Sequence, residues 1–170
     1  MKQLVHKIRG GGALPARHTP WQIINGLVGG TLGIGSVALL TRMSHVPLLM
    51  APLGASCVLL FAATESPLAQ PRSVIGGHFM ASLVGLLFLK FVGTTPLDMG
   101  LAVGLAIALM QLTHTLHAPA GADPLVVLVG GKATWSFLVA PVLISSILLV
   151  MIALLVNNTG RNRKWPKYWY

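Results

Sequence analysis

The sequence predicts an all-α integral membrane protein built from two related units. Of the 170 residues, 54% are hydrophobic and only 9% are charged, whereas a soluble domain carries about 25% charged residues. Six apolar runs follow one another, at residues 21–40, 46–63, 74–92, 97–113, 119–131 and 135–156. A helix needs about 20 residues to cross a hydrocarbon core. The first, third and last runs are therefore long enough to span, the fourth is marginal, and the second and fifth are short.

A repeated motif divides the chain. The pattern Ala-Pro-x-Gly-Ala followed by a polar residue occurs at 51–56 and again at 118–123. Proline disrupts regular helical hydrogen bonding, so each motif predicts a broken or half helix between two long helices, in pseudo-repeat units 21–93 and 96–156. This gives four full spans plus two re-entrant or short spanning segments. Six crossings, with oppositely oriented units, are favoured because the second run has 18 residues; four crossings would make the units parallel.

Charge is concentrated at the two ends of the chain. Twelve Lys and Arg stand against three acids, for a net charge of +9. We expect a basic N-terminal segment (1–20), a single membrane domain (21–156) and a basic aromatic tail (157–170) resting on the membrane surface. The positive-inside rule places both termini in the cytoplasm, of a bacterial inner membrane. The clusters suit anionic lipid headgroups, and no motif for nucleic-acid binding accompanies them.

The first helix is rich in glycine, which lets another backbone approach closely. This predicts a packing seam or a seam that also lines a narrow path, and Asn25 suits either role. The same feature predicts a homo-oligomer.

The second segment is expected to be unwound from Pro47 to Gly54 and helical from near Ala55. Backbone of this kind at membrane depth is tolerated only where it is buried or lines a cavity. The helix start, with Ser56, would then direct free N–H groups into that cavity, and such groups attract anions.

The loop and helix that follow supply two further candidates. Arg72 is expected either to add positive potential at the mouth of a pathway or to pair with Glu65. His78 lies inside a membrane helix, where a histidine is a functional candidate by default; contact with headgroups or with a carbonyl is the alternative.

The second break holds the densest set of polar residues, Thr113, His114, His117 and Asp123. The two histidines are three positions apart, so a helical turn would place them on one face. A positive electrostatic potential there predicts a pathway for a small anion. Histidine titrates near neutral pH, which would permit coupling of the anion to protons. The alternatives are a metal bound by His114, His117 and Asp123, an intramembrane enzyme, or a structural subunit without transport. No Ser-His-acid arrangement is identifiable, so neither catalysis nor a cofactor is predicted.

The predicted pathway set combines both breaks and their neighbours. Its members are Asn25, Pro52, Gly54, Ala55, Ser56, Arg72, His78, Thr113, His114, His117, Pro119, Gly121, Ala122 and Asp123.

Three blocks of this sequence resemble the HPP family of integral membrane proteins, named for a His-Pro-Pro motif. They are residues 50–56, residues 66–72 with Gly-Gly-His at 76–78, and residues 113–117 with Pro119, Gly121 and Ala122. Where the family motif reads His-Pro-Pro-Gly-Gly-Ala, this chain has His-Ala-Pro-Ala-Gly-Ala at 117–122. The resemblance implies four membrane-spanning helices. Because members from cyanobacteria and plastids are associated with nitrite transport, it also implies that the small anion is nitrite.

Overall fold

The computed structural model describes residues 12–159 and 163–169. Four basic residues of the two predicted terminal segments, Lys2, Lys7, Arg9 and Arg161, lie outside the described residues. Within the described part the fold is all-helical, as predicted. Six α-helices follow in order: α1 Pro20–Ser44, α2 Pro52–Ala62, α3 Pro71–Phe91, α4 Pro96–Leu112, α5 Asp123–Gly130 and α6 Ile144–Asn157. Short 3-10 turns lie at Pro67–Ala69, Ala118–Ala122 and Trp135–Leu138, and a π turn at Val139–Leu143 leads into α6.

Three helical stretches are long and apolar enough to cross a membrane, namely Pro20–Ser44, Pro71–Phe91 and Trp135–Asn157. They correspond to the first, third and last apolar runs, so the prediction for those runs is confirmed by length and composition. The helical stretches Pro52–Ala62, Pro96–Leu112 and Ala118–Gly130 are apolar but shorter.

The first break is shorter than predicted. Helix α2 begins at Pro52 and not near Ala55, because proline at the first helical position gives up only an N–H that would have no partner there. Gly54 is therefore helical, and the non-helical backbone of this break lies ahead of the motif.

Helix α2 lies antiparallel to α1, and the side chains of two asparagines connect the helix ends by hydrogen bonds. Asn25, near the start of α1, donates through Nδ2 to the Phe61 carbonyl and to Asn157 Oδ1, both at 3.0 Å. Asn157 Nδ2 donates to the Leu60 carbonyl at 2.9 Å. The start of α1 and the ends of α2 and α6 therefore meet at one end of the bundle. Asn25 therefore connects α1 to the ends of α2 and α6.

Close backbone approaches fix the two short segments. Gly33 of α1 faces Cys57 and Phe61 of α2. Gly85 of α3 faces α5, where a Cβ in its place would lie 2.8 Å from Pro124 Cα. The first segment thus packs on the helix that precedes it, whereas the second packs on a helix of the other unit.

The tail folds back onto the bundle. Trp165 is only 4% exposed and joins the core formed by α1, α2 and α6. Tyr168 Oη donates to the Pro67 carbonyl at 3.2 Å. Lys167 Nζ lies 2.8 Å from Glu65 Oε2, so Glu65 pairs with the tail and not with Arg72. Burial of the Trp165 indole accounts for this placement.

Candidate functional site

Four polar side chains from separate parts of the chain form one hydrogen-bonded cluster in the interior. Ser56 Oγ lies 2.8 Å from Nε2 of His78 and 2.8 Å from Nε2 of His117. His78 Nδ1 lies 2.8 Å from Asp123 Oδ2. All four residues have no exposed surface. We call these four residues the central cluster.

Backbone and side-chain contacts hold the outer ends of the central cluster. His117 Nδ1 lies 2.7 Å from the Leu68 carbonyl oxygen. A carbonyl only accepts, so this nitrogen carries a proton and the Nε2 of the neutral ring accepts. At the other end, Ser82 Oγ donates to Asp123 Oδ2 at 3.0 Å. Ser82 was not among the predicted residues, although it lies one turn after His78 and therefore on the same helix face.

The central cluster draws on three helices and one loop. Ser56 lies in the second turn of α2, His78 in α3, and Asp123 at the start of α5, while His117 directly precedes the 3-10 turn Ala118–Ala122. Gly77 admits the loop, since a Cβ there would lie 2.6 Å from His117 Cβ. The Gly-Gly-His sequence at 76–78 therefore combines a close backbone approach with the central imidazole.

The two repeated motifs meet at one imidazole ring. Ser56 and Asp123 occupy the same position, directly after Ala-Pro-x-Gly-Ala. They bind opposite ring nitrogens of His78, Ser56 at Nε2 and Asp123 at Nδ1. The structure therefore brings the two breaks together, and His78 joins them.

His114 lies outside the central cluster. It is exposed, and its φ of 54° turns the chain through the left-handed region, so the predicted common face with His117 is wrong. Its backbone carbonyl and that of Thr113 accept from Arg72, at 3.2 and 2.8 Å. Arg72 thereby secures the second break.

The alternative of a metal bound by His114, His117 and Asp123 is not supported, because His114 is exposed and lies apart from the other two residues. Among residues 12–159 and 163–169, no group of three His, Cys, Asp or Glu side chains could hold a metal ion.

The motif glycines have a smaller part than expected. A Cβ at Gly54 or Gly121 would meet no atom within 4 Å, so neither glycine is needed for a close approach. The Pro52 carbonyl lies 3.2 Å from Ser56 Oγ. Ala55 and Ala122 fill helical positions, and Pro119 and the other residues of 118–122 form the 3-10 turn that delivers Asp123.

A Ser-His-Asp arrangement, which the sequence did not indicate, is present in Ser56, His78 and Asp123. The three residues come from α2, α3 and α5, so no local spacing could show it. Its serine is buried and also hydrogen-bonded to His117.

Two cavities lie at opposite ends of the bundle. One of about 660 Å³ is lined in part by Met50, Ala51 and Lys132 and reaches the residue before Pro52. The other, of about 290 Å³, is lined in part by Leu68, whose carbonyl is bonded to His117, and by His114. No residue of the central cluster lines either cavity.

Comparison with known proteins gives a consistent family match. The model of the HPP transmembrane region matches residues 15–166. Two Dictyostelium discoideum proteins described only as transmembrane proteins are similar to this chain. One is 37% identical over 75% of this chain and 47% of its own length, and the other 34% identical over 99% of this chain and 58% of its own length. The chain thus spans about half the length of these curated relatives. No solved structure matches it.

Proposed function

The chain belongs to the HPP family of transmembrane proteins, and from this premise we propose that it transports a small inorganic anion, nitrite first among the candidates. The observation that carries the proposal is the fully buried, hydrogen-bonded central cluster with its two histidines and one aspartate. Buried ionisable residues within membrane segments are costly and mark ion and proton pathways. A structural subunit would have no need of such a buried titratable cluster.

The helix directions support an alternating-access arrangement. The start of α1 meets the ends of α2 and α6, and Arg72 at the start of α3 meets the chain just after α4. Helices α1 and α4 therefore begin at opposite ends, as two oppositely oriented units require. In such folds broken helices meet at the substrate site, and one unit moves against the other. We therefore propose six crossings, with both termini on the cytoplasmic side of a bacterial inner membrane and assembly as a homo-oligomer.

The substrate position follows from the two imidazoles. Both Nε2 atoms converge on Ser56 Oγ at 2.8 Å. Once both Nε2 atoms carry protons, an anionic oxygen that took the place of this hydroxyl would meet two ring N–H donors, and charge-assisted hydrogen bonds of this kind are among the stronger ones. The ring centroids are 4.9 Å apart in an edge-to-face contact, so a small anion such as nitrite would enter only as the rings separate and the Ser56 hydroxyl moves aside.

We assign transport and not hydrolysis to the Ser-His-Asp arrangement. A nucleophilic serine must reach its substrate, whereas Ser56 is enclosed and shared between two histidines. Two imidazole rings whose nitrogens converge on one position suit the binding of an anion at that position.

The test is nitrite uptake into liposomes that hold the purified protein, with empty liposomes measured beside them because nitrous acid crosses lipid unaided. We expect saturable uptake in the wild type and its loss in His117→Ala. His114→Ala is the matched control, since His114 is nearby but outside the central cluster, and it should retain uptake.

Equal loss in both histidine variants would place the pathway elsewhere. Wild-type uptake no faster than in empty liposomes, with nitrate, formate and chloride giving the same result, would overturn the transport proposal in favour of a structural or regulatory subunit.

A further inference from the structure

The central cluster has more hydrogen bonds than its neutral side chains have protons. Four contacts run in series, from the Leu68 carbonyl through His117, Ser56 and His78 to Asp123, at 2.7 to 2.8 Å. Two neutral imidazoles and one hydroxyl supply three protons, and a carboxylate supplies none. One contact would then set two lone pairs against each other. A fully bonded cluster therefore holds at least one additional proton.

Charge leads to the same count. Two neutral imidazoles with one carboxylate carry a net charge of −1, and a buried charge without compensation is very costly. One added proton makes the central cluster neutral. Asp123 Oδ1 is buried without a hydrogen-bond partner, as suits a carboxyl group that shares a proton with His78 better than a bare carboxylate.

Among residues 12–159 and 163–169, the elements packed around Asp123 offer no other charge to balance it. Helix α4 packs against α3 with Ala102, Ala106 and Met110, and its one ionisable group, Asp98, caps its first turn. The residues of α6 and of the 3-10 turn Pro67–Ala69 are uncharged. On α2 the one titratable group is Cys57, which faces Gly33 of α1. Arg72, at the start of α3, is bonded to the Thr113 and His114 carbonyls.

We propose that the central cluster is a proton-binding site and that one proton crosses the membrane with each anion. This rests on the proposed transport function. At rest one proton is shared between His78 and Asp123. When an anion displaces the Ser56 hydroxyl, both Nε2 atoms must carry protons to donate to it. His117 then takes up a second proton, whose charge cancels that of the anion. Release of the anion on the other side frees this proton, and the Ser56–His117 bond re-forms.

The experiment separates a proton gradient from a membrane potential. Proteoliposomes receive nitrite either under an inward proton gradient with the potential held at zero by potassium and valinomycin, or under an inside-positive potassium diffusion potential with equal pH. Proton-coupled uptake is electroneutral. We therefore expect about tenfold accumulation per unit of pH gradient, reached faster than in empty liposomes, where nitrous acid enters unaided, and no response to the potential.

Two variants sharpen the result. In Asp123→Asn the amide fills the same space but leaves no carboxylate to hold the resting proton beside His78, so we expect slower uptake than in the wild type. Asp98→Asn is the control, because Asp98 only caps α4 through Thr95, and it should behave as the wild type does.

Wild-type uptake that follows the potential and ignores the pH gradient would overturn proton coupling and leave anion transport standing. Absence of uptake under both conditions would overturn the transport proposal, and the coupling with it. The wild-type measurement decides between these outcomes even if Asp123→Asn fails to fold.

Discussion

The two Ala-Pro-x-Gly-Ala segments share a motif and differ in backbone, packing and chemistry. The first is helical from Pro52 and lies against α1. The second passes through a 3-10 turn before α5 begins at Asp123, and it lies against α3. One ends in a hydroxyl and the other in a carboxyl group, and these bind opposite sides of His78. Contacts outside the motif therefore decide its conformation, while the residue after the motif decides its chemistry.

The largest expected difference is between the two polar residues that follow the motifs. Asp123→Ala removes one partner of a buried His-Asp pair and should lower the free energy of unfolding by about 3–5 kcal/mol. Ser56→Ala removes the hydroxyl to which two imidazole nitrogens are hydrogen-bonded. It should lower the free energy of unfolding by about 1–3 kcal/mol. Unfolding by SDS titration in mixed micelles measures both. Equal costs would contradict the distinction between a carboxyl end and a hydroxyl end.

Packing gives the next effect. In Gly85→Ala the new methyl group would lie 2.8 Å from Pro124 Cα, which is backbone and cannot rotate away. Overpacking of this kind costs about 1–3 kcal/mol, and it should also lower uptake because α5 carries Asp123. Gly100→Ala is the control, since a Cβ there meets no atom within 4 Å. The same SDS titration applies, and a neutral Gly85→Ala would show that α5 is free to shift.

A smaller effect concerns the loop that only the second segment needs. Arg72→Ala removes the two bonds to the Thr113 and His114 carbonyls. Because Arg72 is half-buried, we expect the free energy of local opening at 113–117 to fall by about 1 kcal/mol. This corresponds to roughly fivefold faster amide exchange in that segment. Hydrogen–deuterium exchange measures this, with residues 46–51 as the internal reference. Exchange that accelerates equally in both regions would argue against a role confined to the second break.

The smallest expected effect is at the motif glycines themselves. Gly54→Ala and Gly121→Ala place a methyl group in open space. Alanine also restricts the unfolded chain and stabilises compatible positions by about 0.4–1 kcal/mol. Both variants should therefore match or slightly exceed the wild type in stability and retain nitrite uptake. Loss of uptake in either one would show that the motif backbone must change conformation during transport.

The sequence predicted the fold class, the three long helices and the short second and fifth segments, because hydropathy and proline act locally. It also indicated His78, His117, Ser56 and Asp123 as separate candidates. Their assembly could not be predicted, since the contact between α2 and α5 through His78 joins residues remote in sequence.

The errors at the breaks concern single backbone positions. His114 was expected beside His117 from helical spacing, but its left-handed backbone ends that relationship. Helix α2 was expected to begin near Ala55, but proline is tolerated at the first helical position, and the helix begins at Pro52. The burial of Trp165 in the core could not be read from the composition of the tail, because it depends on the folded bundle.

The double use of His78 has a consequence for how this chain changes in evolution. Its ring has two nitrogens, and a different segment occupies each. A substitution at position 78 removes one hydrogen-bond partner from Ser56 and one from Asp123, and a substitution at either of those leaves one side of the ring unsatisfied. We therefore expect single replacements at the three positions to be selected against. We expect the three residues to be inherited, or replaced, as a set.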